Sequence, residues 1–151
     1  VGQVNLADST ANEWYVTGVQ LEVGSAASDF EFLPVDVNLE RCQRYFTQFT
    51  FSNASRIAVG GFFSTTQADT IVSFPKTMRS SPSLSYSALS DFALTSHTAQ
   101  VDATVITLDT SNSGYGADVR VTVGSAIGSA GNYALFLSKN ANAKLNFSSE
   151  L

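Results

Sequence analysis

The feature that most restricts this chain is a repeated alternation of apolar and polar residues with a period of two. The run Ala117-Asp118-Val119-Arg120-Val121-Thr122-Val123 shows it most cleanly, with small or branched apolar side chains at the odd positions and Asp118, Arg120 and Thr122 between them. Successive side chains of a β-strand point to opposite faces, so this run buries one face and leaves the other wet. Comparable runs rich in Val, Ile, Thr, Phe and Tyr occupy 14–23, 56–64, 70–74, 83–89, 101–108, 133–138 and 143–147. Turn signals separate them at Gly60-Gly61, Ser81-Pro82, Asn112-Ser113-Gly114 and Gly131-Asn132. Short strands at roughly 8 to 14 residue spacing predict an all-β fold, an antiparallel β-sandwich or jelly roll.

One segment breaks the pattern. Over 37–46, Leu39, Cys42 and Phe46 fall at i, i+3 and i+7 on one stripe, which predicts a short helix. Pro34 precedes it, and Asp36 or Asn38 is placed to cap its first turn. The expected organisation is a leading β segment over 1–35, a short helix or hinge over 36–46 and a C-terminal β-sandwich domain over 47–151. Val1 stands where an initiator methionine would, which fits a fragment, a processed product or simple methionine removal.

At 151 residues, 44% hydrophobic and 14% charged, the chain is long and apolar enough to bury a core. The net charge of -5 comes from 13 acidic and 8 basic residues with no block of lysines or arginines, which argues against nucleic acid as a partner. Its longest apolar runs fall far short of the roughly 20 residues that cross a bilayer as a helix, so no membrane insertion is expected and the chain reads as soluble.

Few residue types suit catalysis. His97 is the only histidine and lies outside any nucleophile-elbow pattern, so it reads as a loop residue. Asp29 with Glu31, or Glu22 with Asp102, are nominal carboxylate pairs of the kind glycosidases use, without aromatic residues framing them. Asp109, Asn112 and Asp118 offer oxygen ligands but lack the ordered spacing of a calcium loop, and Cys42 is the only cysteine. The reading is a non-enzymatic chain without cofactor or metal.

The aromatic residues Phe30 and Phe32, Phe49 and Phe51, and others near them stand two apart, which in a strand places them on one face as core or subunit interface. A second use of such faces is sugar stacking, because an aromatic ring meets the apolar C–H face of a pyranose. Tyr15, Tyr115 and Tyr133 are the candidates, since their hydroxyls favour water.

The stretch Trp14-Tyr15-Val16-Thr17-Gly18-Val19-Gln20-Leu21-Glu22-Val23-Gly24-Ser25, then Asp29-Phe30-Glu31-Phe32, then Leu39-Glu40-Arg41-Cys42-Gln43-Arg44-Tyr45-Phe46, resembles a pattern in tail fibre and related virion proteins of tailed bacteriophages. In that family the pattern closes a carbohydrate-binding-module-like jelly roll and leads into a C-terminal domain. Only 13 residues precede Trp14, so that module is not contained here and its sugar site is not carried over. The resemblance implies a virion location, a homotrimer, other virion proteins as partners and contact with a host-surface glycan. A capsid decoration protein, or a carbohydrate-binding module of a secreted enzyme, is the alternative. Both faces of the 14–23 strand carry apolar residues, so it is expected to be covered on both sides. Buried Gln20 and Glu22 would then take Arg41 and Arg44 as partners, with Trp14, Tyr45 and Phe46 completing an assembly joint.

Overall fold

A computed structural model describes Glu13 and residues 15–97, 99–109 and 113–149. It divides into two compact units, Val1–Pro34 and Val35–Leu151.

In the first unit the expected strand over 14–23 does not form. Trp14 lies outside the described residues, and 15–22 run without regular structure into a bend at 23–26. Tyr15, Val19, Leu21 and Val23 are largely or fully exposed, and so is Val16 on the other side, so no described residue of this unit covers the segment. Alternation makes a strand only where a neighbour accepts the ladder hydrogen bonds, and no described strand pairs with this one. Gln20 and Glu22 are likewise exposed. The Gln20 side-chain oxygen accepts from the Glu31 amide at 2.8 Å, and Glu22 accepts from the amide and hydroxyl of Ser28, which holds its carboxyl below the usual range.

The second unit begins with helix α1, Val35–Gln43. It starts two residues earlier than the pattern over 37–46 implies, so Asp36 sits inside the first turn instead of capping it, and Arg41 sits in the last. Both complement the helix dipole. Phe46 falls outside the helix and opens a strand.

Among the described residues nine strands follow: β1 Phe46–Phe51, β2 Arg56–Phe62, β3 Gln67–Ser73, β4 Ser83–Tyr86, β5 Phe92–Thr95, β6 Gln100–Leu108, β7 Gly116–Val123, β8 Tyr133–Ser138 and β9 Ala143–Ser148. All pair antiparallel. Six close into a barrel in the order β2-β3-β7-β6-β5-β8, and β1-β9-β4 form a separate sheet. The fold is therefore all-β and antiparallel, as the alternation implies, but a barrel with a flanking sheet and not strictly a sandwich or jelly roll. Pairing of β2 with β8 removes both edges that an open sheet would expose. Register shifts between Arg56 and Ala58 and between Ala103 and Val105 add the local bend that closure requires.

Small and large side chains share the barrel interior. Ala68, Ala117 and Ala134 face inward with Phe62, Phe92, Leu94, Val119, Val121 and Phe136, all at 3% exposure or less. Two hydroxyls on these strands are buried with them: Thr70 donates to the Val119 carbonyl at 3.0 Å, and Ser138 of β8 donates to the Ser52 carbonyl. At Gly60 a Cβ would stand 1.8 Å from the Asp69 carbonyl oxygen, so β2 and β3 pair this closely only because the residue is glycine. On the separate sheet, Phe147 of β9 meets Phe49 and Phe74 edge-on at 6.0 and 4.9 Å. The i, i+2 pair Phe49 and Phe51 thus serves the core. No helix of the described residues is long and apolar enough to cross a membrane.

Candidate functional site

The barrel interior is lined by buried apolar side chains, and the described residues form clefts outside that core. One, of about 340 Å³, is lined by Ser96, His97, Ile127, Asn132 and Tyr133. Two connections build it. Antiparallel pairing of Thr95 with Leu135 sets the end of β5 beside the start of β8, which brings the β5–β6 turn next to Tyr133. That turn is closed by the Ser96 amide donating to the Ala99 carbonyl at 2.8 Å and by the Ala99 amide donating to the Ser96 hydroxyl at 3.2 Å.

The β7–β8 connection is fastened to β2. Phe62 donates its amide to the Asn132 carbonyl at 2.8 Å and accepts from the Gly131 amide at 3.0 Å. Gly131 has φ +87°, a conformation glycine takes without strain. The Phe62 ring fills the space where Gly128 would carry a Cβ. A fixed backbone thus holds Asn132 and Tyr133 at the cleft, with Tyr133 half exposed at 50%. Among the described residues the cleft offers one phenol ring with its hydroxyl, one amide, one serine hydroxyl and one imidazole, and no carboxylate or ammonium. That set suits a neutral polyhydroxylated ligand, stacked on the ring and hydrogen-bonded at its edge.

A second cleft, of about 370 Å³, is lined by Ile71, Ser73, Ser113, Tyr115, Gly116, Ala117 and Asp118. Tyr115 is 75% exposed there. Beside it Arg120 holds Asp69 with two hydrogen bonds, Nε to Oδ1 at 2.7 Å and Nη2 to Oδ2 at 2.9 Å, pairs with Asp109 and lies 5.1 Å from the Phe63 ring centre. These carboxylates hold the guanidinium firmly charged. Burial, followed by the charges of Asp69 and Asp109, pushes the Asp118 carboxyl above the usual aspartate range. The fold thus gathers Asp109 and Asp118, two of the nominal calcium ligands, around an arginine. Asn112 lies outside the described residues. No group of three or more described His, Cys, Asp or Glu residues is placed to hold a metal ion.

Of the three tyrosines singled out in the sequence, the two in the second unit do not share a cleft. Tyr133 and Tyr115 line different clefts, and Tyr15 belongs to the first unit, where its hydroxyl donates to Glu13. Arg41 and Arg44, read as partners for Gln20 and Glu22, have no ion pair among the described residues and line a cleft with Val37, Glu40, Lys76 and Thr77. Tyr45 lies 6.0 Å from the Arg79 guanidinium, and Phe46 is 42% exposed. The sequence reading missed His97 and Asn132 as cleft residues. His97 stands next to a tight turn and Asn132 inside one, and a turn signal carries no information about which other turn it meets.

Comparison of the chain with protein-family models, curated proteins and solved structures finds no match.

Proposed function

We propose that this chain is a structural module of a tailed-phage surface appendage, such as a tail fibre. In this reading it self-associates as a homotrimer, joins other virion proteins and presents a neutral host-surface glycan site at the Tyr133 cleft. The phage assignment rests on the resemblance over 14–46. The glycan assignment rests on one observation: Tyr133, Asn132, Ser96 and His97, from two chain segments, line one cleft outside the buried apolar core of the barrel. The same cleft favours the second reading, a carbohydrate-binding module of a secreted enzyme, and gene neighbourhood separates the two.

A glycan array with the purified chain tests the site. Binding to one class of neutral glycan is expected, with a loss of at least tenfold in Tyr133→Ala and in His97→Ala. Both side chains lie outside the core, so the melting temperature should hardly move. Tyr115→Ala separates the two clefts. Binding that survives Tyr133→Ala and disappears in Tyr115→Ala moves the site to the second cleft, and no binding to any glycan overturns the reading.

A further inference from the structure

Three of the chain's eight basic residues, Arg41, Arg44 and Lys76, line one cleft of about 270 Å³ together with Val37, Glu40 and Thr77. Val37, Glu40, Arg41 and Arg44 are spaced i, i+3, i+4 and i+7, which sets them along one face of α1 and the turn that follows it. Lys76 and Thr77 come from the β3–β4 connection, which is fastened on both sides. The Met78 amide donates to the Gly114 carbonyl at 2.7 Å, the Met78 side chain is buried, and the Arg79 amide donates to the Arg44 carbonyl at 2.7 Å. A Cβ at Gly114 would stand 2.7 Å from the Met78 carbonyl oxygen, so glycine is what lets the connection seat this closely. All of these residues belong to the second unit, Val35–Leu151.

The charges in this cleft do not cancel. Glu40 meets Lys76 at 2.7 Å and matches its charge, while Arg41 and Arg44 are exposed and have no ion pair among the described residues. Elsewhere on the barrel Arg120 is held by Asp69 and Asp109, and Lys139 by Asp102. Three cations against one carboxylate leave an excess of two positive charges here, on a chain whose net charge is -5. Each guanidinium presents its N–H donors as a planar fork that matches the oxygens of a carboxylate or a phosphate. A carboxylate brings one negative charge and a phosphomonoester about 1.5 to 2 at pH 7, so of the two it is the phosphomonoester that balances the excess. The volume lies below the roughly 300 Å³ at which ordinary ligand pockets begin, which suits one phosphate with a small body attached and not an extended polyanion. Val37 offers that body an apolar contact and Thr77 a hydroxyl.

We infer that this cleft binds a phosphomonoester of a small hydroxylated molecule, with Arg41 and Arg44 on the phosphate oxygens and the Thr77 hydroxyl donating beside them. It is a different cleft from that of Tyr133, whose described lining holds no arginine or lysine, and it depends on neither the glycan nor the virion reading.

Isothermal titration calorimetry of the full chain, in phosphate-free buffer of low ionic strength, tests the site with glucose 6-phosphate, inorganic phosphate and glucose 6-sulfate. Glucose 6-phosphate should bind about fivefold or more tighter than inorganic phosphate, because its sugar body also meets the cleft, and by a similar factor tighter than the sulfate ester, which carries a single charge. Its affinity should fall as the pH drops through the second phosphate pKa at about 6, while that of the sulfate ester stays level. Arg41→Gln and Arg44→Gln should each weaken binding about tenfold or more, with an unchanged melting temperature because both side chains are exposed. Lys144→Gln removes the same charge from the exposed side of β9 and should leave the affinity within about twofold. No binding of glucose 6-phosphate at millimolar concentration, equal affinity for it and either of the other probes, or a loss in Lys144→Gln as large as in the arginine variants would each overturn the inference.

Discussion

Removing the largest side chain from the barrel interior tests whether that interior is a packed core or a ligand cavity. Phe136 of β8 is fully buried and lies 5.5 Å, centroid to centroid, from the equally buried Phe92 of β5. Its strand is held on both sides, by β2 at Ala58 and by β5 at Leu94. Collapse around a Phe136→Ala cavity would have to break ladder hydrogen bonds in a closed barrel, so the hole should persist. The expected loss is about 3 to 5 kcal/mol, the range for Phe→Ala in cores that relax only in part. At about 4 °C per kcal/mol for a domain of this size, the melting temperature should fall by about 12 to 20 °C. Urea denaturation followed by circular dichroism should show a lower midpoint with an unchanged slope. A loss below about 1 kcal/mol would mean that the interior is loosely filled, and the barrel lumen would then displace the outer clefts as the place for a ligand.

Two further substitutions test local features. In the fold Asp118 binds its proton more tightly than an ordinary aspartate, so its ionised form costs stability fully above the folded pKa, and that cost fades as the pH falls towards about 4. Asp118→Asn should therefore melt higher than the unaltered chain at pH 7, and the difference should shrink on acidification in parallel thermal scans; a difference independent of pH would refute the electrostatic account. Ala54, in the β1–β2 turn, has φ +58°, which costs an L-residue about 1 kcal/mol or more. Ala54→Gly should raise the unfolding free energy by up to about 1 kcal/mol, and a loss of stability in chemical denaturation would show that the turn is not strained.

Much of the barrel was legible because a strand with one buried face writes that face into every second residue. The run 117–123 became β7 with Ala117, Val119, Val121 and Val123 buried, and 133–138 matches β8 to the residue. The misses have physical causes. β5, Phe92–Thr95, is buried at three successive residues and shows no alternation to read. β1, Phe46–Phe51, was hidden by the helical spacing of Leu39, Cys42 and Phe46, which continues past the point where the helix ends. Residues 15–23 alternate as well as any strand and form none, because alternation reports a preference that only a neighbouring strand can satisfy, and no described strand pairs with them.

The candidate site divides in the same way. Tyr133 and Tyr115 could be chosen from sequence because an exposed phenol in a strand-rich chain is a recognisable binding group. Their companions could not, since the β5–β6 turn reaches Tyr133 only through the pairing of β5 with β8, segments about 40 residues apart in sequence. By itself, then, the sequence determined the all-β class, most strand positions and the presence of a short helix near 37–46, each from a local periodicity. Tertiary structure alone decided that the sheet closes, which turns share a cleft and that Phe46 leaves the helical stripe to pair with Ser148 of β9, because each of these depends on hydrogen bonds and packing between residues distant in the chain.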